Sequence, residues 1–161
     1  MRILGIDPGI ATMGYGVIDK IGNSLKHITH GVITTKKDLD LSERIFQLYN
    51  ELTQIIKDYE PNTMAVEELF FSKNTKTALT VAQARGCILL VGEQFNLKPA
   101  PYNPLQIKSS ICGYGKAEKK QVQYMVHKLL NLEKIPRPDD AADALGIAIC
   151  HAHYAKISAY M

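Results

Sequence analysis

The chain has 161 residues, 46% of them apolar and 22% charged, with a formal net charge of +3. This composition points to one α/β domain, 1–161, and excludes disorder, collagen-like repeats and coiled coil. No apolar run reaches the roughly 18 residues of a membrane span and MRILGIDPG is no signal peptide; the scattered Cys87, Cys112 and Cys150 suggest neither a disulfide framework nor a zinc knuckle, so a cytoplasmic home without membrane contact is expected.

Residues 2–7 (RILGID) read as a short buried strand ending on an acid, and Pro8-Gly9 turns the chain. Strands are expected at 15–19 and 24–35, with Gly22-Asn23 as the turn between them, giving an antiparallel meander. Over 42–59 the apolar positions Ile45, Leu48, Leu52, Ile55, Ile56 and Tyr59 keep the helical period, with Ser42 as N-cap and Pro61 beyond the end. A strand follows at 63–66, a helix at 74–95 and a short strand at 98–102. Two helices complete the chain. One covers 117–132 with Val122, Met125, Val126 and Leu129 on a stripe; the other covers 139–154 behind Pro138. The expected order is βββ-α-β-α-β-α-α, without repeats or linkers.

Four acids stand where burial is costly without a purpose. Asp7 ends the first strand, and Glu67 follows the apolar TMAV of the fourth. Asp140 and Asp143, three apart, share one face of the last helix, and Asp139 is four from Asp143. Small apolar neighbours such as Ala141, Ala144 and Gly146 turn that face toward the sheet. Carboxylates gathered at a sheet edge repel unless protonated or neutralised by cations, and Mg²⁺ favours a few carboxylates plus phosphate oxygens. Taken singly, each acid has a plainer role as turn former, helix-start residue or solvated loop acid. The residues alone leave both readings open.

Basic residues are unevenly spread: residues 98–161 carry 9 Lys and Arg against 5 Asp and Glu, residues 1–97 carry 10 against 11. Lys108, Lys116, Lys119 and Lys120 surround a glycine-bearing turn and a helix start, where free N–H groups also favour phosphate. A solvated helix face is the plainer reading for Lys120 and Lys128. GIATMGYG is not a dinucleotide fingerprint, and GYGK is followed by Ala117 where a phosphate loop needs a hydroxyl. An actin-like ATPase opens on a similar acidic turn but needs two such domains.

Together, DPGIATMGYGVI (7–18), VEELFFSKN (66–74), QARG (83–86), GYGKAEKKQVQYMV (113–126) and DDAADALGIAI (139–149) resemble the RuvC family of Holliday-junction endonucleases, in order and over nearly the whole chain. The resemblance implies an α/β, ribonuclease-H-like fold: a five-stranded mixed sheet, three antiparallel strands then parallel ones, flanked by helices. It implies paired symmetric nicking of four-way junction DNA by a homodimer, with two Mg²⁺ per site and Mn²⁺ as a possible substitute. It also implies contact with the RuvA–RuvB branch-migration complex. The family's acidic tetrad falls on Asp7, Glu67, Asp140 and Asp143, Asp7 bridging both ions, Glu67 helping to hold one and the Asp140/Asp143 pair the other. Lys108 and Lys119 match lysines near the scissile phosphate, and Lys116 joins them as a DNA contact. Phe70 matches an aromatic that stacks on an unpaired base, worth about 1–3 kcal/mol; Phe71 is the weaker candidate. Asp139 is an extra acid where the family more often has a neutral residue.

Two incisions need two matched sites, so the helix over 80–92, with Ala82, Ala84, Gly86 and Gly92, is the candidate dimer interface; packing on its own sheet is the alternative. A related nuclease for another branched substrate and a non-catalytic junction binder remain the competing functions. His151 and His153 diverge on a helix, and the three cysteines are expected to be buried as small apolar residues.

Overall fold

The computed structural model describes residues 1–68 and 75–157, with side chains described for 1–68 and 78–154. The chain opens with β1 (Arg2–Asp7), β2 (Thr12–Ile21) and β3 (Ser24–Thr34). The β2–β3 turn places Gly22 at φ 58°, a left-handed conformation that a Cβ would strain. There follow α1 (Leu41–Tyr59), β4 (Thr63–Glu67), α2 (Thr75–Gln94) and β5 (Ala100–Tyr102), then α3 (Pro104–Cys112), α4 (Lys119–Leu129) and α5 (Asp139–Ile157). The sheet runs β3-β2-β1-β4-β5. β2 pairs antiparallel with β1 and β3, while β4 lies parallel to β1 and β5. This is the expected mixed five-stranded sheet, with β1 at its centre. No helix among the described residues is long and apolar enough to cross a membrane.

Several boundaries differ from the sequence reading. β2 begins at Thr12 rather than 15, because Gly14 and Gly16 continue the ladder opposite Asp7 and Gly5. The N-cap of α1 is Asp40, not Ser42, and the Glu43 carboxylate accepts the Asp40 backbone N–H at 2.9 Å. α4 starts at Lys119 and ends at Leu129, with Glu118 capping it. The helix α3 was not expected at all. Its signals are nevertheless present: Asn103 accepts the Gln106 backbone N–H at 2.8 Å, Pro104 opens the first turn, and Gly113 closes the helix at φ 83°. Nine residues offer too few turns for periodicity to stand out. Cys150 is buried as expected, whereas Cys87 and Cys112 are only half-buried.

Alternation along β1 divides the interior in two. Leu4 and Ile6 face α1 and α2, joining Leu48, Leu52, Met64 and Ile88. Ile3 lies on the other face with Ile18, Ala65, Leu145 and Ala148, and the same alternation puts Gly5 and Asp7 there. Helix α5 rests on that second face almost at backbone distance, because glycines line the sheet beneath it. A Cβ at Gly5 would stand 2.2 Å from the Ala144 carbonyl oxygen, and one at Gly14 would stand 2.0 Å from that of Asp140. Neither neighbour is a flexible side-chain tip, so neither can yield cheaply. Gly5→Ala is expected to destabilise the fold by about 3 kcal/mol, the upper end of overpacking costs; thermal or denaturant unfolding measures this.

Candidate active site

The register explains why the acids meet. Asp7 ends the central strand, and Glu67 ends β4, its parallel neighbour, one residue beyond the Ile6–Val66 pair. Both follow an odd-numbered run that faces α5. Opposite Asp7 on β2 stands Gly14, against which the backbone of Asp140 is packed. The first turn of α5 is thereby set beside the Asp7 carboxyl, at the carboxyl ends of the parallel strands where α/β sheets place their sites.

The electrostatics record this crowding. Burial, then the charges of Glu67, Asp143 and Asp140, push the Asp7 carboxyl up to about 8, with a hydrogen bond between the Asp7 and Glu67 side chains adding to the rise. Burial also raises Glu67 and Asp143, in both cases against the pull of Lys119. Lys119, the first residue of α4, sets its Nζ 2.9 Å from Asp143 Oδ2 and 3.6 Å from Asp139 Oδ2. Asp139 is further engaged by Arg137. Asp140 is among the charges that raise Asp7, and Asp139 is not.

Glu67, Asp143, Lys108 and Lys119 line one groove of about 220 Å³, floored by Ile107 and Val122. Lys108 reaches it from the unexpected α3, so that short helix supplies one wall. Lys116 lies outside the groove, exposed on the α3–α4 loop. Phe70 and Phe71 fall in 69–74, outside the described residues. His151 is held between Thr63 Oγ1 at 3.2 Å and the Tyr102 hydroxyl at 2.9 Å, and His153 lies 3.1 Å from the Ser110 carbonyl, so the two diverge. The sequence reading missed Arg137 and the glycines beneath α5; two glycines spaced by two in a strand, Gly14 and Gly16, are the signal for the latter.

Among the described residues, no three His, Cys, Asp or Glu side chains form a ready-made metal-holding group. Instead, Asp7 and Glu67 share a side-chain hydrogen bond and Asp143 pairs with the Lys119 ammonium. Their donor set still fits a hard divalent cation: it is all oxygen, largely withdrawn from water and short of counter-charge.

A mixed β3-β2-β1-β4-β5 sheet, with acids ending its central strands and a helix carrying two more across them, defines a ribonuclease-H-like domain with a carboxylate site. The chain belongs to the RuvC family: the family model described as Crossover junction endodeoxyribonuclease RuvC matches residues 3–151. It is 56% identical over 156 residues to the crossover junction endodeoxyribonuclease RuvC of Desulforamulus reducens, covering 97% of this chain and 96% of that protein. The RuvC of Syntrophomonas wolfei is 50% identical over 161 residues, covering 100% of this chain and 94% of its own. Among solved structures, Thermus thermophilus RuvC in complex with Holliday junction substrate is similar with a TM-score of 0.94 and 33% identity, covering 98% of this chain and 96% of that one.

Proposed function

We propose that the chain, as one nuclease domain over 1–161, resolves four-way DNA junctions by Mg²⁺-dependent hydrolysis of two symmetric phosphodiesters, leaving 5′-phosphate and 3′-hydroxyl ends. The observation that carries this reading is the meeting of Asp7, Glu67, Asp140 and Asp143 beside Lys119, in a chain whose relatives are named for this cleavage. When bound, two Mg²⁺ ions supply charge against the attacked phosphate and lower the pKa of the attacking water. Asp7, central among the acids, would help to hold both ions, Glu67 would help to hold one, and Asp140 with Asp143 would hold the other. Lys108 and Lys119 hold the scissile phosphate from the two walls of the groove, Lys116 contacts the strand beyond it, and Phe70 stacks on a base unpaired at the crossover. A synthetic junction with an immobile core tests this. Paired, ligatable nicks with Mg²⁺ and none without are expected; binding without cleavage would instead make the chain a junction-binding protein.

Paired nicks call for a second copy. The structure divides the candidate interface helix: Ala84, Val91 and Gly92 are taken by the chain's own core, Gly92 lying against Pro99. The opposite face of α2 carries Leu79 and Leu90, 67% and 64% exposed, around Gly86, whose absent side chain leaves open space. On the adjacent α1, Phe46 is 65% exposed. An apolar face with a central glycine suits close approach of an identical helix. Leu90→Lys is expected to yield monomers by sedimentation and single nicks rather than paired ones; an unshifted dimer would remove α2 as the interface. Work in the cytoplasm beside RuvA–RuvB fits this reading, the cysteines Cys87, Cys112 and Cys150 being free thiols.

A further inference from the structure

The outward face of α4 carries Lys120, Tyr124 and Lys128, spaced i, i+4 and i+8 and so aligned over about 12 Å. It lies away from the buried side of the helix, where Val122, Gln123 and Val126 sit. Both lysines are exposed and Tyr124 is 51% exposed. Among the described residues, neither lysine pairs with a carboxylate. The acid nearest in sequence, Glu118, is turned back to cap the helix through the Gln121 backbone.

The face has fixed features. Lys128 Nζ sits 5.5 Å from the centroid of the Tyr124 ring, an arrangement that holds the ammonium outward. At the head of the helix, the Tyr114 hydroxyl donates to Gln121 Oε1 at 2.8 Å. Between Tyr114 and Tyr124 runs an open groove of about 390 Å³ with Cys112 and Met125 in its wall and Lys120 at its rim. The solvated-face reading gives no reason for two uncompensated lysines to flank an exposed aromatic on a helix whose first residue, Lys119, already touches the catalytic acids.

We propose that this face of α4 is a second DNA-contact surface that follows the phosphates of the duplex arm leaving the cleavage site. It deepens, and rests on, the nuclease reading above. Charge complementarity selects the occupant: uncompensated lysines aligned along a line match one strand of a polyanion, and Lys119, turned to the groove side of the same helix, sets the catalytic groove about one helix width away. The tyrosines give the sugar edge an apolar wall with hydroxyls at its rim. The far lysine lies about 14 Å along the helix from Lys119, the rise of roughly four base pairs.

The test compares wild type with Lys120→Gln/Lys128→Gln, and with Lys57→Gln/Lys98→Gln as an equal charge change at the opposite end of the sheet. Affinities for a four-way junction and for a linear duplex of the arm sequence are measured without divalent ions from 50 to 200 mM salt, and kcat at saturating junction with Mg²⁺. The Lys120/Lys128 variant is expected to lose about two from the slope of log affinity against log salt on both DNAs. Its kcat should be unchanged, and the control pair should keep the wild-type slope. An unchanged slope, or an equal fall in the control pair, overturns the proposal. Failure of wild type to cut any junction would overturn the nuclease reading instead, and the duplex slopes would still decide the surface.

Discussion

Asp7→Asn is expected to lower junction cleavage by about a thousandfold or more while leaving junction affinity within a few-fold. The substitution keeps the size and shape of the side chain and removes its capacity to ionise, the property that lets it hold cations at the centre of the site. It should also stabilise the protein in the absence of divalent ions. The Asp7 carboxyl is held at about 8 in the fold against an ordinary value of 3.8, so between these values the native state binds more protons than the unfolded chain. Stability of the ion-free wild type therefore falls as pH rises through that window and levels off above it. Asn carries no such dependence. The melting temperature of Asp7→Asn should exceed that of wild type by a margin that widens from about pH 4 to pH 8, and Mg²⁺ should narrow the margin by stabilising wild type alone. Wild-type cleavage by the variant would remove Asp7 from the chemistry.

Gly14→Ala strikes the same site from the neighbouring strand, β2. Its Cβ would lie 2.0 Å from the Asp140 carbonyl oxygen and 2.5 Å from the carbonyl carbon, and the first turn of α5 must move to admit it. Asp140 and Asp143 move with that turn. A displacement near 1 Å is enough to cost about a hundredfold in rate, with a stability loss of about 1–3 kcal/mol. Gly5→Ala presses further down the helix, on Ala144, and should cost stability more than turnover in the molecules that remain folded. Equal activity of Gly14→Ala and wild type would mean that β2 does not position the acids.

What was legible in the sequence follows from the range of each signal. The apolar run of 2–7 and the helical period of 42–59 are local, and both elements are found where they were expected. The spacing of Asp140 and Asp143 is local too, and it placed the pair on one face correctly. The approach of that pair to Asp7 is not local. It depends on Gly5, Gly14 and Gly16 letting α5 down onto the sheet, and glycines in a turn-rich segment look like loop residues until the register is known. Helix α3 escaped for a different reason: its cap and its Pro104 start are clear, but Asn103-Pro104 also reads as a chain break. Through it, Lys108 joins the acids across a groove that no spacing rule predicts. The division of α2 between core and outward face is likewise a tertiary fact, since Ala84, Gly86 and Gly92 are equally small and only their neighbours tell them apart.

The most direct test is anomalous diffraction at the manganese edge from crystals of the full chain grown with Mn²⁺. The account predicts density enclosed by the carboxylates of Asp7, Glu67, Asp140 and Asp143, within about 2.0–2.3 Å of at least three of their oxygens. A map with manganese elsewhere and none between these four side chains would contradict it.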